Sequence, residues 1–138
     1  MEVRTLKRSI LQRLFGIPAT RAPGDPGAWT YAAGKLEVAL DRTPELAKAG
    51  GAIRLEGRNL PERLLIVHGD DGNYYAFQNR CRHMGRRLDP VPGTTTVQCC
   101  SVGKTTYTYD GRVMSGSAKE AIKTFNLQVQ NGKLIIAL

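Results

Sequence analysis

The amino-acid sequence predicts an all-β fold, an antiparallel β-sandwich or small barrel, with a short helix near its N-terminal end. β-branched and aromatic residues occur in short runs from Trp29 onward, and clusters of turn residues separate these runs. Three of the turns contain glycine and join runs that lie close together in the chain, as hairpin turns do. Many short strands with such turns are typical of antiparallel sandwiches and barrels.

The composition indicates a single globular domain with a small appendage. The chain has 138 residues, of which 41% are hydrophobic and 23% are charged. Its longest uninterrupted apolar run is Leu134 to Leu138, whereas a transmembrane helix needs roughly 20 such residues. Charged side chains interrupt the stretch from Met1 to Leu14, so it lacks the apolar core of a secretory signal. We therefore expect a cytoplasmic protein.

The net charge favours anionic partners. Lys and Arg number 20 against 12 Asp and Glu, which gives a formal charge of +8. Such a charge attracts nucleic acid, phospholipid or an acidic protein without choosing among them. The sequence contains no recognised nucleic-acid motif, and Tyr74, Tyr75 and Phe77 fall in one strand pattern. We therefore expect no nucleic-acid partner.

Residues 4–15 form the first predicted element, a basic amphipathic helix. Its apolar residues recur with a spacing near 3.6, and most of its basic residues lie off that face. Two interpretations stay open: this helix packs on its own domain or frays at the terminus, or it contacts a membrane surface or a partner. The apolar face consists of Leu6, Ile10, Leu11, Leu14 and Phe15.

The strands of the β domain follow a Pro- and Gly-rich linker at residues 21–27. We therefore divide the chain into residues 1–28, the helix and linker, and residues 29–138, the β domain. Hairpin turns are predicted at Asp70 to Asn73, at Asp110-Gly111 and at Asn131-Gly132. The predicted strands are Ala52 to Glu56, Leu64 to His68, Tyr74 to Phe77, Thr105 to Tyr109, Arg112 to Met114, Phe125 to Gln130 and Lys133 to Leu138.

Cysteine and histidine residues indicate a metal site. Cys81 and His83 form a C-x-H pair in residues 79–92, a stretch too polar and proline-rich to be a central strand. Fifteen residues separate His83 from Cys99, which is followed directly by Cys100. Three cysteines, two of them adjacent, fit reduced thiols or metal ligands better than disulfides. Thiolate sulfur combined with imidazole nitrogen favours iron-sulfur, zinc or copper.

The two segments resemble the Rieske family, whose pattern is C-x-H-x-G in one loop and C-x-x-H-G in a second. Cys81, His83 and Gly85 match the first loop. Cys99 and Gly103 match the second. The resemblance extends over the hairpins on either side and so covers the β domain. It implies a Rieske-like antiparallel β-sandwich with a cluster-binding subdomain, a [2Fe-2S] cluster and electron transfer.

One position departs from the family pattern. Val102 stands where the family has its second histidine ligand, and valine has no atom that binds a metal. The resemblance implies that Cys81 and Cys99 hold one iron and that His83 holds the other. Cys100 is the candidate substitute for the missing ligand, and a buried thiol or a redox partner of Cys99 is the alternative. Because adjacent residues of an extended strand point to opposite faces, its use requires a turn just after Cys99.

Two further departures concern the surroundings of the cluster. The hydroxyl donors of respiratory family members fall at positions held here by Lys104 and Thr106. The cysteines that brace the loops of some members fall at Arg86 and Ser101, so that brace is absent. The resemblance therefore implies fewer hydrogen bonds to the sulfurs and a lower reduction potential of the cluster. The positive charges nearby would act against this lowering.

Basic residues surround the two loops. One interpretation is that these charged side chains are simply exposed to solvent. The other is that they form a docking surface that steers an acidic redox partner, a reductase or an oxygenase, to the metal site. The residues concerned are Arg80, Arg82, Arg86, Arg87 and Lys104.

The leading interpretation is a small iron-sulfur electron carrier of the Rieske ferredoxin type with an altered ligand set. It is not itself an enzyme, since the family's oxygenases need a larger second domain that this chain is too short to hold. Two alternatives stay open. In the first, the chain keeps the fold but binds no cluster and acts as a binding or regulatory module. In the second, the four candidate ligands Cys81, His83, Cys99 and Cys100 form a Cys3His zinc site.

Overall fold

The structure is a computed structural model that describes residues 5–82, 85–116 and 118–138. The described chain is built almost entirely from short β-strands, with one short α-helix before them. The elements are α1 (Ile10–Leu14), β1 (Trp29–Ala32), β2 (Lys35–Ala39), β3 (Ala52–Leu55), β4 (Leu64–His68), β5 (Tyr74–Gln78), β6 (Leu88–Pro90), β7 (Thr96–Cys99), β8 (Thr106–Thr108), β9 (Val113–Ser115), β10 (Thr124–Phe125), β11 (Leu127–Gln130) and β12 (Lys133–Ala137).

The strands form three antiparallel sheets of four strands each. Sheet 1 has the order β1-β2-β12-β11, sheet 2 the order β10-β5-β4-β3, and sheet 3 the order β6-β7-β8-β9. Every pairing recorded between these strands is antiparallel. The predicted all-β antiparallel fold is confirmed.

The three predicted hairpins are also present. β4 pairs with β5, β8 with β9 and β11 with β12. The last turn shows why the sequence predicts it: Asn131 and Gly132 have φ of 51° and 73°, the two positive values that a type I′ hairpin turn requires. The β8–β9 pair contains a register shift between Thr106 and Tyr107.

Two strands near the cysteines were not assigned from the sequence. Residues 79–92 were expected to be a loop, but Leu88–Pro90 forms β6 at the edge of sheet 3. A proline is tolerated there because an edge strand needs hydrogen bonds on one side only. β7 lacks the alternation of buried and exposed residues that identifies a strand in a sequence, because all four of its residues are buried. The N-terminal pair β1 and β2 was likewise left unassigned.

β4 lies between two hydrophobic cores. Leu64 and Ile66 pack into the first core, whereas Leu65 and Val67 pack into the second. Burial of both faces explains why the strand is continuously apolar instead of alternating. The second core contains residues from sheets 2 and 3 and includes both Cys81 and Cys99. The cysteines of the two loops are therefore part of a packed interior.

The N-terminal segment differs from the predicted amphipathic helix. α1 spans only Ile10–Leu14 and begins with a capping box formed by Ser9 and Gln12. Its buried residue is Arg13, while Leu14 is 56% exposed. The helix contacts its own domain, but through an arginine and not through its apolar face, because the guanidinium can satisfy backbone carbonyls that a leucine could not.

The following residues also attach to sheet 3. The carboxylate of Asp89, which is buried in β6, accepts hydrogen bonds from the backbone N–H groups of Ala19 and Thr20 at 2.8 Å each. The proposed division between residues 28 and 29 stays a prediction. No helix in the described residues combines the length and the apolar character needed to cross a membrane.

Two glycines with nearly the same φ offer a test of how closely the β8–β9 turn approaches the segment before β10. Gly111 has φ of 88°, and a Cβ there would lie 2.4 Å from the carbonyl oxygen of Ile122. Gly72 has φ of 86°, and a Cβ there would meet nothing within 4 Å. We expect Gly72→Ala to lower the free energy of unfolding by about 1 kcal/mol through backbone strain. Gly111→Ala should lower the free energy of unfolding by about 2 kcal/mol more than Gly72→Ala, because its new Cβ clashes with Ile122.

Urea denaturation of both variants measures this difference. Equal losses of stability in Gly72→Ala and Gly111→Ala would contradict the close approach of Gly111 to Ile122.

Candidate metal centre

Cys81 begins a tight turn directly after sheet 2. Its backbone N–H donates to the carbonyl of Arg86, and its own carbonyl accepts from Gly85, both at 2.8 Å. The preceding Asn79 is fully buried, and its side-chain oxygen accepts a hydrogen bond from the backbone N–H of Leu88 at 2.7 Å. These bonds close the first loop on itself and fix the side chain of Cys81, which is 1% exposed.

Cys99 ends β7 and approaches from the second loop. Its N–H donates to the carbonyl of Thr105 at 2.8 Å, and the residue is 1% exposed. The side chains of Cys81 and Cys99 belong to the same buried core, and the neighbouring Cys81 thiol, together with burial, raises the pKa of the Cys99 thiol. The structure thus brings together the two cysteines that the motif predicts.

A hydroxyl group contacts each of these sulfurs. The Tyr107 hydroxyl lies 3.5 Å from Sγ of Cys81, and the Ser101 hydroxyl lies 3.0 Å from Sγ of Cys99. The backbone N–H of Arg82 donates to the Tyr107 oxygen at 3.0 Å, which leaves the phenol proton available for sulfur. Burial raises the pKa of Tyr107, so its hydroxyl stays protonated.

The expectation of fewer hydroxyl donors near the sulfurs was wrong. It considered the positions of Lys104 and Thr106, whereas the donors come from Ser101 and Tyr107. Strand register could have identified Tyr107, since it pairs with Val97 and therefore shares a face with Cys99 two residues later.

Cys100 is buried but lies outside the core that holds the other two cysteines. Its N–H donates to the carbonyl of Arg87 at 3.0 Å. Burial raises the pKa of its thiol, and the charge of Asp89 acts in the same direction. No three Cys, His, Asp or Glu side chains within the described ranges come together in a geometry that could hold a metal ion. The structure therefore does not bring Cys100 to Cys81 and Cys99.

The imidazole half of the predicted site comprises His83 and the position of Val102. His83 lies outside the described residues, and its role as a ligand stays a prediction. Val102 is 52% exposed at the tip of the second loop. The cysteine half therefore fits a Rieske-type cluster, because two buried thiols from different loops meet. The position of the second histidine contributes no ligand atom.

Most of the basic residues around the loops have contacts within the protein. Arg82 forms an ion pair with Glu120, and Arg87 forms two hydrogen bonds with Glu56. Arg86 donates to the carbonyls of two N-terminal residues. Arg80 and Lys104 are exposed. Three of the five predicted docking residues thus help to hold the loops, and a docking role for the set stays a prediction.

Arg13 is a site residue that the sequence analysis missed. It is 4% exposed, and its guanidinium donates to the carbonyls of Cys99 and Ser101 at 3.3 Å and to Oε1 of Gln98 at 3.0 Å. Burial is the main cause that lowers its pKa. An arginine among the apolar residues of the predicted helix was the available signal. Arg13 brings a positive charge beneath the second loop.

Comparison with known proteins agrees with this geometry. A protein-family model described as the Rieske [2Fe-2S] domain matches residues 36–126. The chain is 38% identical over 52 residues to the oxygenase subunit of a glycine betaine monooxygenase from Chromohalobacter salexigens. That stretch covers 37% of this chain and only 12% of the relative.

Solved structures share the fold. The ferredoxin of carbazole 1,9a-dioxygenase from Nocardioides aromaticivorans superposes with a TM-score of 0.59 at 15% identity, over 72% of this chain and 92% of that chain. The cyanobacterial plasma membrane Rieske protein from Synechocystis superposes with a TM-score of 0.52 at 20% identity, over 62% and 86% of the two chains. A chain in an oxygenase and ferredoxin complex of carbazole 1,9a-dioxygenase gives 0.62 at 23% identity, over 78% and 30%.

The contact between Glu56 and Arg87 supports the first loop and has a defined pH dependence. Its hydrogen bond with Arg87 lowers the pKa of Glu56 below 4.5. The contribution to stability is therefore present above pH 4.5 and is lost as pH falls through the folded-state pKa. We expect Glu56→Gln to lower the free energy of unfolding by about 1 kcal/mol at neutral pH, and the difference from wild type to shrink at low pH.

Urea denaturation at several pH values measures this difference. Glu37→Gln is the control, because the Glu37 carboxylate pairs only with Lys35 at the surface and should change stability little. A difference that is constant from neutral to acid pH would contradict the assigned ion pair.

Proposed function

The chain belongs to the Rieske [2Fe-2S] domain family, and we propose that it is an electron carrier whose cluster lies where the two cysteine loops meet. The observation that supports this most directly is the contact between the buried thiols of Cys81 and Cys99. Two thiolates on one iron is the arrangement of a Rieske centre. When bound, the cluster would accept and release one electron at a time.

The proposed ligands combine two loops. Cys81 and Cys99 would hold the inner iron, and His83 would hold the outer iron, as the family motif implies. Cys100 is proposed as the fourth ligand in the absence of a histidine at Val102. This assignment requires the backbone after Cys99 to turn, because the Cys100 thiol otherwise lies on the side of Asp89 and Arg87.

Groups around the sulfurs would adjust the reduction potential. Hydrogen bonds from Tyr107 and Ser101 to the cysteine sulfurs would stabilise the more negative, reduced state. The buried charge of Arg13 acts in the same direction. A thiolate from Cys100 would oppose both effects, since it adds a negative charge that a neutral imidazole lacks.

The proposed partner is a redox protein, a reductase or an oxygenase. The complexes of oxygenase and ferredoxin in carbazole 1,9a-dioxygenase illustrate such an assembly for related folds. The exposed residues Arg80 and Lys104, together with Arg82, Arg86 and Arg87, would favour an acidic surface on that partner.

A cluster-free binding module is the second candidate, and a specific observation favours it. No third Cys, His, Asp or Glu side chain joins Cys81 and Cys99 among the described residues, which do not include His83. A structural zinc site with Cys81, His83, Cys99 and Cys100 is a separate alternative, which keeps a metal but transfers no electron.

Metal analysis of anaerobically purified protein separates these candidates. We expect two irons and two sulfides per chain for the [2Fe-2S] carrier, and Cys99→Ala should abolish both. Cys100→Ala should release iron if Cys100 is the fourth ligand, and should otherwise leave the iron content unchanged. Val102→His should raise cluster occupancy or shift the spectrum toward that of a centre with two histidines.

Two results would overturn the carrier. One equivalent of zinc without sulfide would establish the zinc site. A folded protein that holds no metal, with the same metal content in Cys99→Ala, would establish the cluster-free module.

The hydroxyl of Tyr107 should set part of the potential. Tyr107→Phe removes one hydrogen bond to sulfur. If that bond stabilises the reduced state over the oxidised state by about 1 kcal/mol, its loss lowers the one-electron reduction potential by about 40 mV. Tyr109→Phe is the matched control, because the Tyr109 hydroxyl donates to the carbonyl of Thr94 and not to sulfur. Voltammetry of both loaded variants measures the shift. An equal potential in the two variants would remove Tyr107 from this role.

A further inference from the structure

Exposed apolar side chains are concentrated at one end of the molecule. Of the seven large hydrophobic side chains that are exposed in the described residues, five lie in the N-terminal segment and one at the tip of the second cysteine loop, while Val129 lies elsewhere. Phe15 is 69% exposed and Ile10 is 77% exposed. We call the following residues the apolar ridge: Ile10, Leu11, Leu14, Phe15, Ile17 and Val102.

Hydrogen bonds hold the ridge against the cysteine loops. Arg13 extends beneath it to the carbonyls of Cys99 and Ser101, and Ser101 adjoins Val102. The guanidinium of Arg86 donates to the carbonyl of Leu14 at 3.0 Å. The ridge is therefore not a frayed terminus. The segment buries an arginine and leaves its apolar side chains pointing outward.

Basic side chains predominate along the ridge, and the Asp89 carboxylate that binds the backbone of this segment is buried. Residues 5–24 contain Lys7, Arg8, Arg13 and Arg21 and no Asp or Glu. The Arg8 guanidinium donates to the carbonyl of Ile17 at 2.9 Å, so it lies within the ridge itself. None of the ion pairs formed among the described residues involves Lys7, Arg8 or Arg86.

We propose that the apolar ridge docks on an anionic lipid surface. Apolar side chains flanked by Lys and Arg are suited to the boundary between acyl chains and anionic headgroups. The side chains project outward, and a bilayer accommodates projecting groups without a complementary groove. A second copy of the chain is disfavoured, because its own basic residues would meet those of the first. Docking would turn the cysteine loops toward the membrane, whether or not a cluster is bound.

Vesicle sedimentation with the full chain tests this inference. We expect binding to vesicles of phosphatidylcholine with phosphatidylglycerol to be at least about tenfold tighter than to phosphatidylcholine alone. The double variant Leu14→Ser, Phe15→Ser should weaken binding to the anionic vesicles about tenfold or more. Both side chains are exposed, so the fold should persist. Val129→Ser is the matched control, because it removes an exposed apolar side chain elsewhere.

Three outcomes would overturn the proposal. The first is that the wild-type chain fails to bind anionic vesicles, and the second is that the double variant and the control bind them equally well. The third is that analytical ultracentrifugation shows a dimer that the double variant abolishes, which would assign the ridge to an interface with a second copy of the chain. Binding can be measured on metal-free protein. A failure here is therefore distinguishable from a failure of the cluster assignment.

Discussion

Burial of both faces of β4 is the constraint on which the rest of the structure depends. Leu64 and Ile66 require cover from sheet 1, and Leu65 and Val67 require cover from sheet 3. Sheet 3 carries Cys99, whereas Cys81 follows the neighbouring strand β5 of sheet 2. The packing that removes β4 from water thus also sets how closely the two cysteines meet. The position of the two cysteines is a consequence of the hydrophobic core.

Local signals predicted much of the fold. The turn at Asn131-Gly132 needs positive φ at two successive residues, which depends only on the residues themselves. The spacing of Cys81 and Cys99 predicted that their loops meet. β6 and β7 could not be predicted in this way, because a proline and complete burial hide the alternation of a strand. The burial of Arg13 and the position of the Cys100 thiol depend on contacts remote in sequence, which periodicity does not record.

Several charged side chains stabilise the fold through hydrogen bonds and ion pairs within the protein. Asp89 receives two backbone N–H groups of the N-terminal segment, and Arg13 fixes the same segment to the second loop. Arg87 joins the first loop to Glu56. Several cations of the chain are therefore engaged within the fold and are not free to meet a partner. The N-terminal segment combines basic residues that form no ion pair among the described residues with exposed apolar side chains, and this combination is why the ridge carries the docking inference.

Sheet 1 pairs β2 with β12, two strands from opposite ends of the β domain. During synthesis on the ribosome, β2 emerges early and must wait for β12 before the first core can close. Until then Leu36 and Val38 have no partners from β12, although the hairpins of sheets 2 and 3 are already complete. The face of β4 that carries Leu64 and Ile66 would then stay exposed to water in a half-closed chain. The order in which the strands are made therefore leaves the first core open after the strands of the second core are complete.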